Sequence, residues 1–178
     1  VKELLQFDSF AHDAEAVRQA VVSGTFETKQ GPDGALYSGI SMYGVPHWFE
    51  RIAELLRCAI TPRLSCFRLN LAGEMPHSWV HSDGICAEFA TVLYLNLPEQ
   101  CKGGTAFWKH RTRGIDRLPT RAELGTDADE FYRTMDREWK ELQHWEKIDF
   151  VPMRFNRFIT YPTCLFHSRY PFEGFGKG

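Results

Sequence analysis

A chain of 178 residues, 43% apolar and 25% charged, carries enough material for one domain with one sizeable core, and too much apolar content to stay disordered. Its formal net charge of -2 provides no basic excess for nucleic acid or an anionic membrane, and Glu88 breaks the longest apolar run, Ile85 to Leu97, short of a membrane span. The five cysteines (Cys58, Cys66, Cys86, Cys101 and Cys164) are odd in number and form no CxxC pair, which argues against a disulfide framework or a thiolate zinc knuckle and for a reducing, cytoplasmic setting.

No secretory signal pattern opens the sequence, and its ends, Val1 and Lys177-Gly178, read as internal to a longer chain. Apolar residues at Ala14, Val17, Ala20 and Val21 predict a first helix over Phe10 to Val22, with Ser9 as N-cap and Gly24 as its end. Thr28 to Gly44 reads as loop with short strands. Pro46 opens a second helix at a tolerated first-turn position, with an apolar stripe of Trp48, Phe49, Ile52, Leu55, Leu56 and Ala59.

From Pro62 the texture changes to strands: Arg63 to Leu71, Trp79 to Asp83, Ile85 to Leu97 and Gly104 to Trp108, each bounded by turn residues. Three more follow near the end: Ile148 to Met153, Arg157 to Tyr161 and Cys164 to Arg169. Between the two groups, Lys109 to Lys147 forms an insertion. Its first part is basic (Arg111, Arg113, Arg117, Arg121) and irregular. Its second part predicts a helix from Thr126 or Asp127 with Phe131, Met135, Trp139, Leu142 and Trp145 or Glu146 near one face. The expectation is a single mostly-β domain with flanking helices. Residues 1–61 would form helical and loop support, 62–108 and 148–178 a double-stranded β-helix, or jelly-roll, core, and 109–147 a lid-like insertion.

His81-Ser82-Asp83 is the central chemical feature. On a strand, residues two apart share a face, so one imidazole and one carboxylate stand side by side. With a second imidazole they would form the facial triad of non-haem iron oxygenases, leaving three positions open. His167, in the last readable strand, is the natural third ligand. Seven histidines and nine aspartates make about 0.35 chance HxD matches expected, so the weight lies in context: a Gly-containing turn before the motif, an apolar strand and a Gly-Gly turn after it, and a histidine on a late strand. His77 reads as a rim residue and Arg157 as support for a strand end. The basic run reads as a solvated loop or as recognition of an acidic substrate.

Thr91-Val-Leu-Tyr94-Leu-Asn96, Gly103-Gly104-Thr105, Arg157-Phe-Ile-Thr-Tyr161 and His167 together resemble the prolyl 4-hydroxylase-like branch of the Fe(II)/2-oxoglutarate-dependent dioxygenases, over about residues 62 to 170. The phrase FHSRYPFEGFG is also similar to a bacterial family of small proteins within that superfamily. The resemblance implies Fe(II) on His81, Asp83 and His167, with 2-oxoglutarate as cosubstrate. It implies Tyr94 as hydrogen-bond partner of the cosubstrate's far carboxylate, a place where a simple core tyrosine is equally expected. The family's cation for that carboxylate sits about ten residues past the distal histidine, which is the spacing of Lys177. Arg169, or an arginine beyond residue 178, is the alternative, because the family's eighth core strand is absent from this sequence.

The expected reaction is hydroxylation of an unactivated C–H bond in a small molecule or peptide, with an amino acid or peptide as the family-level substrate. The retained carboxylate of Asp83 disfavours halogenation. A non-catalytic metal-binding or scaffold protein of the same fold is the alternative, and a cupin-like hydrolase or isomerase using another divalent metal is a third. A homodimer is compatible with either of the first two.

Overall fold

The structure is a computed structural model that describes residues 3–31, 34–44, 46–70, 80–84 and 87–172. Nine strands and four helices are seen among them: β1 (Leu5–Phe7), α1 (Ala14–Val22), β2 (Glu27–Gln30), β3 (Leu36–Ser41), α2 (Pro46–Leu56), β4 (Phe67–Arg68), β5 (Phe89–Tyr94), β6 (Gly104–His110), α3 (Arg121–Leu124), α4 (Ala128–Glu138), β7 (Trp145–Pro152), β8 (Arg157–Pro162) and β9 (His167–Tyr170). The chain is therefore mostly β with flanking helices, as expected. No helix among the described residues is long and apolar enough to cross a membrane.

The strands form three antiparallel sheets, ordered β1-β8-β5, β7-β6-β9 and β2-β3-β4. The first two carry the core. Pairing follows the two-residue period: β5 runs against β8 from Phe89↔Pro162 to Tyr94↔Arg157, and β6 runs against β9 from Gly104↔Tyr170 to Phe107↔His167. Residues 80–83 continue the second sheet beyond β9 through the bridge His81↔His167 and the bond from Asp83 N–H to Thr163 C=O at 3.0 Å.

Alternation sorts the side chains into three apolar layers. Phe158 of β8, with Phe89 and Leu93 of β5, packs under the helices against Phe10, Val17, Val21, Trp48 and Ile52. The opposite faces of the same strands, through Tyr94, Ile159 and Tyr161, meet Phe107, Val151 and Met153 from the second sheet. The far side of that sheet, through Val80, Ala106, Trp108, Trp145 and Phe166, is covered by Met135 of α4. Fully burying each such side chain contributes about 1.5–3 kcal/mol, so both outer layers are structural.

Several expected elements are shorter. The first helix begins at Ala14, not Phe10, because Asn156 takes the preceding backbone: its carbonyl accepts from Phe10 N–H at 3.1 Å and its Oδ1 from Ala11 N–H at 2.8 Å. Ser9 is left in the left-handed region at φ 55 instead of capping the helix. Ala59 falls outside α2, which ends before Arg57 turns at φ 52. Among the described residues of Arg63 to Leu71, strand is confined to Phe67–Arg68, paired with β3, and Leu69 N–H adds a bond to Gly39 C=O. In the insertion, Thr120 and Glu123 form a capping box that starts α3, with Thr120 N–H donating to Glu123 Oε2 at 2.8 Å. Asp129 and Glu130 then sit in the first turn of α4 and Arg137 in its last, as the helix dipole favours. Trp145 belongs to β7 and not to the helix.

Candidate metal centre

His81 and Asp83 share a face of segment 80–83, while Val80 faces α4 on the other side. Directly opposite, His167 belongs to β9, and its neighbour in register, Phe107, points into the space between the two core sheets, where it meets Tyr161 at 5.1 Å between ring centroids. The topology thus brings together the three expected residues. One ligand atom from each of His81, Asp83 and His167 lies within 4.8 Å of the others. Asp83 stands between the imidazoles, with Oδ1 3.9 Å from His81 Nε2 and Oδ2 3.4 Å from His167 Nε2. Those gaps exceed a good hydrogen bond and approach the spacing of about 3 Å expected of neighbouring ligands in an octahedron with metal–ligand bonds near 2.1 Å.

The donor chemistry fits a divalent metal. His167 Nδ1 lies 2.9 Å from the Leu165 carbonyl, which can only accept. Nδ1 therefore carries the hydrogen, and the Nε2 lone pair is turned towards Asp83 for a metal or a proton. Burial alone would raise the Asp83 carboxyl, but the contact with His167 and the charge that His167 and His81 carry when protonated outweigh it and hold Asp83 below the usual carboxylate range. His167 is buried while His81 and Asp83 are partly open, so the triad faces outward on one side.

Tyr94 does reach the inner space. Its hydroxyl shares a 2.6 Å hydrogen bond with Thr105 Oγ1, and burial pushes its phenol up to about 12. Arg169 follows His167 by two residues on the same face and stands opposite Thr105 in register. Its guanidinium also donates to Asn70 Oδ1 at 3.3 Å. Thr105 and Arg169 thus lie one pleat along the strands from Phe107 and His167, and Tyr94 reaches that level through its bond to Thr105. Lys177 and His77 lie outside the described residues. Arg157 supports a strand end: it binds both oxygens of Asp8, at 2.6 and 3.0 Å, and the Pro152 carbonyl at 2.9 Å.

Sequence reasoning missed Tyr161. Its ring lies 4.9 Å from that of His167, and burial first, then the neighbouring Asp83 and Tyr94, raise its phenol well above the ordinary value. The two-residue period from Ile159 to Tyr161 carried that signal. Thr105 and the Leu165 carbonyl gave none, since both roles depend on a partner from another strand.

The insertion divides. Residues 115–118 run beside the triad's rim, where Leu118 N–H donates to Cys164 C=O at 2.8 Å and Phe166 N–H to Asp116 C=O at 3.0 Å. A cleft of about 130 Å³ opens there, lined by Leu4, Phe107, Asp116, Ile148, Asp149 and Leu165. Helix α4 lies on the opposite face of the sheet, behind the ligands. The basic run is engaged locally: Arg111 binds the Trp145 carbonyl, Arg113 approaches Glu138, Arg117 pairs with Glu123 and Arg121 with Asp129.

A family model described as a family of unknown function (DUF6445) matches residues 1–170, so the chain belongs to that family. No curated protein and no solved structure matches it.

Proposed function

We propose that this DUF6445 member is an Fe(II)- and 2-oxoglutarate-dependent oxygenase that hydroxylates a C–H bond of a small molecule or peptide. One observation carries the reading: two imidazoles and one carboxylate converge from two strands, with the His167 tautomer set by a backbone carbonyl so that Nε2 is available to the metal.

The strand pairing supports a jelly-roll core. The pairs are nested in sequence, with 80–83 against β9 outermost, β5 against β8 inside it and β6 against β7 innermost. The outermost and innermost pairs lie in one sheet and the middle pair in the other. A long hairpin coiled on itself gives this alternation between sheets.

His81, Asp83 and His167 would hold the iron. Tyr94, kept protonated, and Thr105 offer hydroxyls to the far carboxylate of the cosubstrate, and Arg169 offers the charge such a buried anion needs. Phe107 and Tyr161 wall the inner side of the triad and exclude water. When bound, the metal and 2-oxoglutarate supply the oxidising chemistry.

Anaerobic Fe(II) protein mixed with 2-oxoglutarate tests the reading. A weak visible charge-transfer band is expected, then succinate on admitting oxygen. If full-length, iron-loaded protein gives neither, the chain is a non-catalytic metal-binding or scaffold protein of the same fold.

A further inference from the structure

A second group of metal-binding side chains closes the base of the insertion. His110 ends β6, Glu138 lies in the last turn of α4, and His144 precedes β7. One ligand atom from each lies within 4.8 Å of the others. His110 Nε2 is 2.9 Å from Glu138 Oε2, and the His110 and His144 rings stack at 5.7 Å and 20°.

Three features make this more than a hydrogen-bonded corner. His110 is fully buried, with Nε2 aimed at Glu138 and its ring held between those of His144 and Trp145. Its Nε2 carries a hydrogen and donates to Glu138, while the Arg113 N–H donates to Nδ1 at 3.4 Å; a metal at Nε2 would shift that hydrogen to Nδ1, where the Thr112 hydroxyl at 3.3 Å can accept it. Glu138 is a carboxylate at the negative end of a helix dipole, where charge of its own sign is disfavoured. Its guanidinium neighbour, Arg113, stands off at 3.6 Å. Trp145, edge-on to His110 at 5.0 Å, walls the group on its inner side.

The geometry points to a second metal site, a Zn(II)-class structural clasp held by His110, Glu138 and His144, with water completing a tetrahedron. Two imidazoles and one carboxylate are a Zn(II) donor set. The ligands come from three segments, 28 residues separating His110 from Glu138, so the ion would tie both ends of the insertion to β6 and hold α4 against the sheet. The clasp does not depend on the oxygenase reading.

The test uses the full chain with the triad disabled by His81→Ala and Asp83→Ala. Loaded with Zn(II) or Co(II) and desalted, this variant should keep one equivalent of metal. Its Co(II) form should show the intense visible bands of four-coordinate cobalt and not the faint ones of an octahedral site. Adding Zn(II) to metal-free protein should raise its melting temperature. His144→Asn in the same background should lose both the bound equivalent and the thermal shift. His144 is chosen because it lies at the edge of the cluster, whereas replacing buried His110 risks the fold. Triad-disabled protein that keeps no metal, or a His144→Asn variant that keeps it unchanged, overturns the clasp. Iron binding by the wild-type triad is read separately, so either idea can fail alone.

Discussion

His81 and His167 exchange two backbone hydrogen bonds, His81 N–H to His167 C=O at 3.0 Å and His167 N–H to His81 C=O at 2.9 Å. Residues paired in this way present their side chains on one face of the sheet. Backbone register, and not side-chain packing, therefore brings the two imidazoles to 4.4 Å between centroids. A slip of one residue would turn one of them to the opposite face.

The first prediction follows from that register. Wild-type protein should bind Fe(II) at the triad, with Mn(II), Co(II) or Ni(II) as substitutes. His81→Ala and Asp83→Ala should each abolish binding there with an unchanged circular dichroism spectrum, since neither side chain is in the core. Metal analysis of the wild type against each variant decides it, and unchanged stoichiometry at the triad would remove the central claim.

Tyr94 and Thr105 should behave as a coupled pair. Tyr94→Phe leaves Thr105 Oγ1 buried without its partner and should cost about 1–2 kcal/mol of stability. It should also weaken 2-oxoglutarate binding by about 0.5–1.5 kcal/mol, one neutral hydrogen bond. Adding Thr105→Val should recover part of the stability loss, since both polar partners are then gone. Arg169→Met should weaken cosubstrate binding more than Tyr94→Phe, because it leaves a carboxylate without charge compensation. Denaturant melts and cosubstrate titrations of the three variants and the wild type separate these effects.

Arg157→Met should destabilise the fold by about 2 kcal/mol, because three charge-assisted hydrogen bonds are lost and Asp8 keeps only the exposed Arg154. The Arg157 hydrogen bond holds the Asp8 carboxyl below its ordinary value. The stability this contributes is fully present above the unfolded carboxylate pKa and is lost as pH falls through the lower, folded value. Wild-type melting temperature should therefore fall more steeply in that acid range than that of Asp8→Asn, which has no such carboxyl. Parallel slopes would show that the pair is not coupled to folding.

Helix α4 should be part of the stable core and not a lid. Met135, fully buried against Val80, Trp108 and Phe166, should cost about 3 kcal/mol when cut to alanine, without changing the Fe(II) stoichiometry of the folded fraction. Amide exchange in α4 should be among the slowest in the chain and indifferent to 2-oxoglutarate. Fast exchange that slows on adding cosubstrate would restore a gating role.

Gly104→Ala should damage β6. A methyl group there would collide with the Val151 carbonyl across the β6–β7 ladder, and backbone cannot yield as a flexible side chain can. A loss of about 1–3 kcal/mol is expected, measured by thermal or urea unfolding. A neutral result would mean that the strands part at this point without cost.

The sequence by itself determined what depends on period and on residue chemistry. The two-residue alternation of β5 to β9, the mostly-β character, the two supporting helices and the His81, Asp83 and His167 set were all legible, because a side chain's face and its donor type are properties of its own segment. What depended on partners from distant segments was not. Asn156 shortens the first helix by taking its leading N–H groups, the Leu165 carbonyl sets the His167 tautomer, and Thr105 meets Tyr94 from the facing strand. The position of α4 was hidden for the same reason. Its apolar stripe at Phe131, Met135 and Trp139 says only that one face must be covered. The tertiary structure decided which surface covers it: the side of the sheet carrying Val80 and Trp108, so that the helix backs the ligands from behind, and His110, Glu138 and His144, unrelated by any spacing in the chain, come to share one corner.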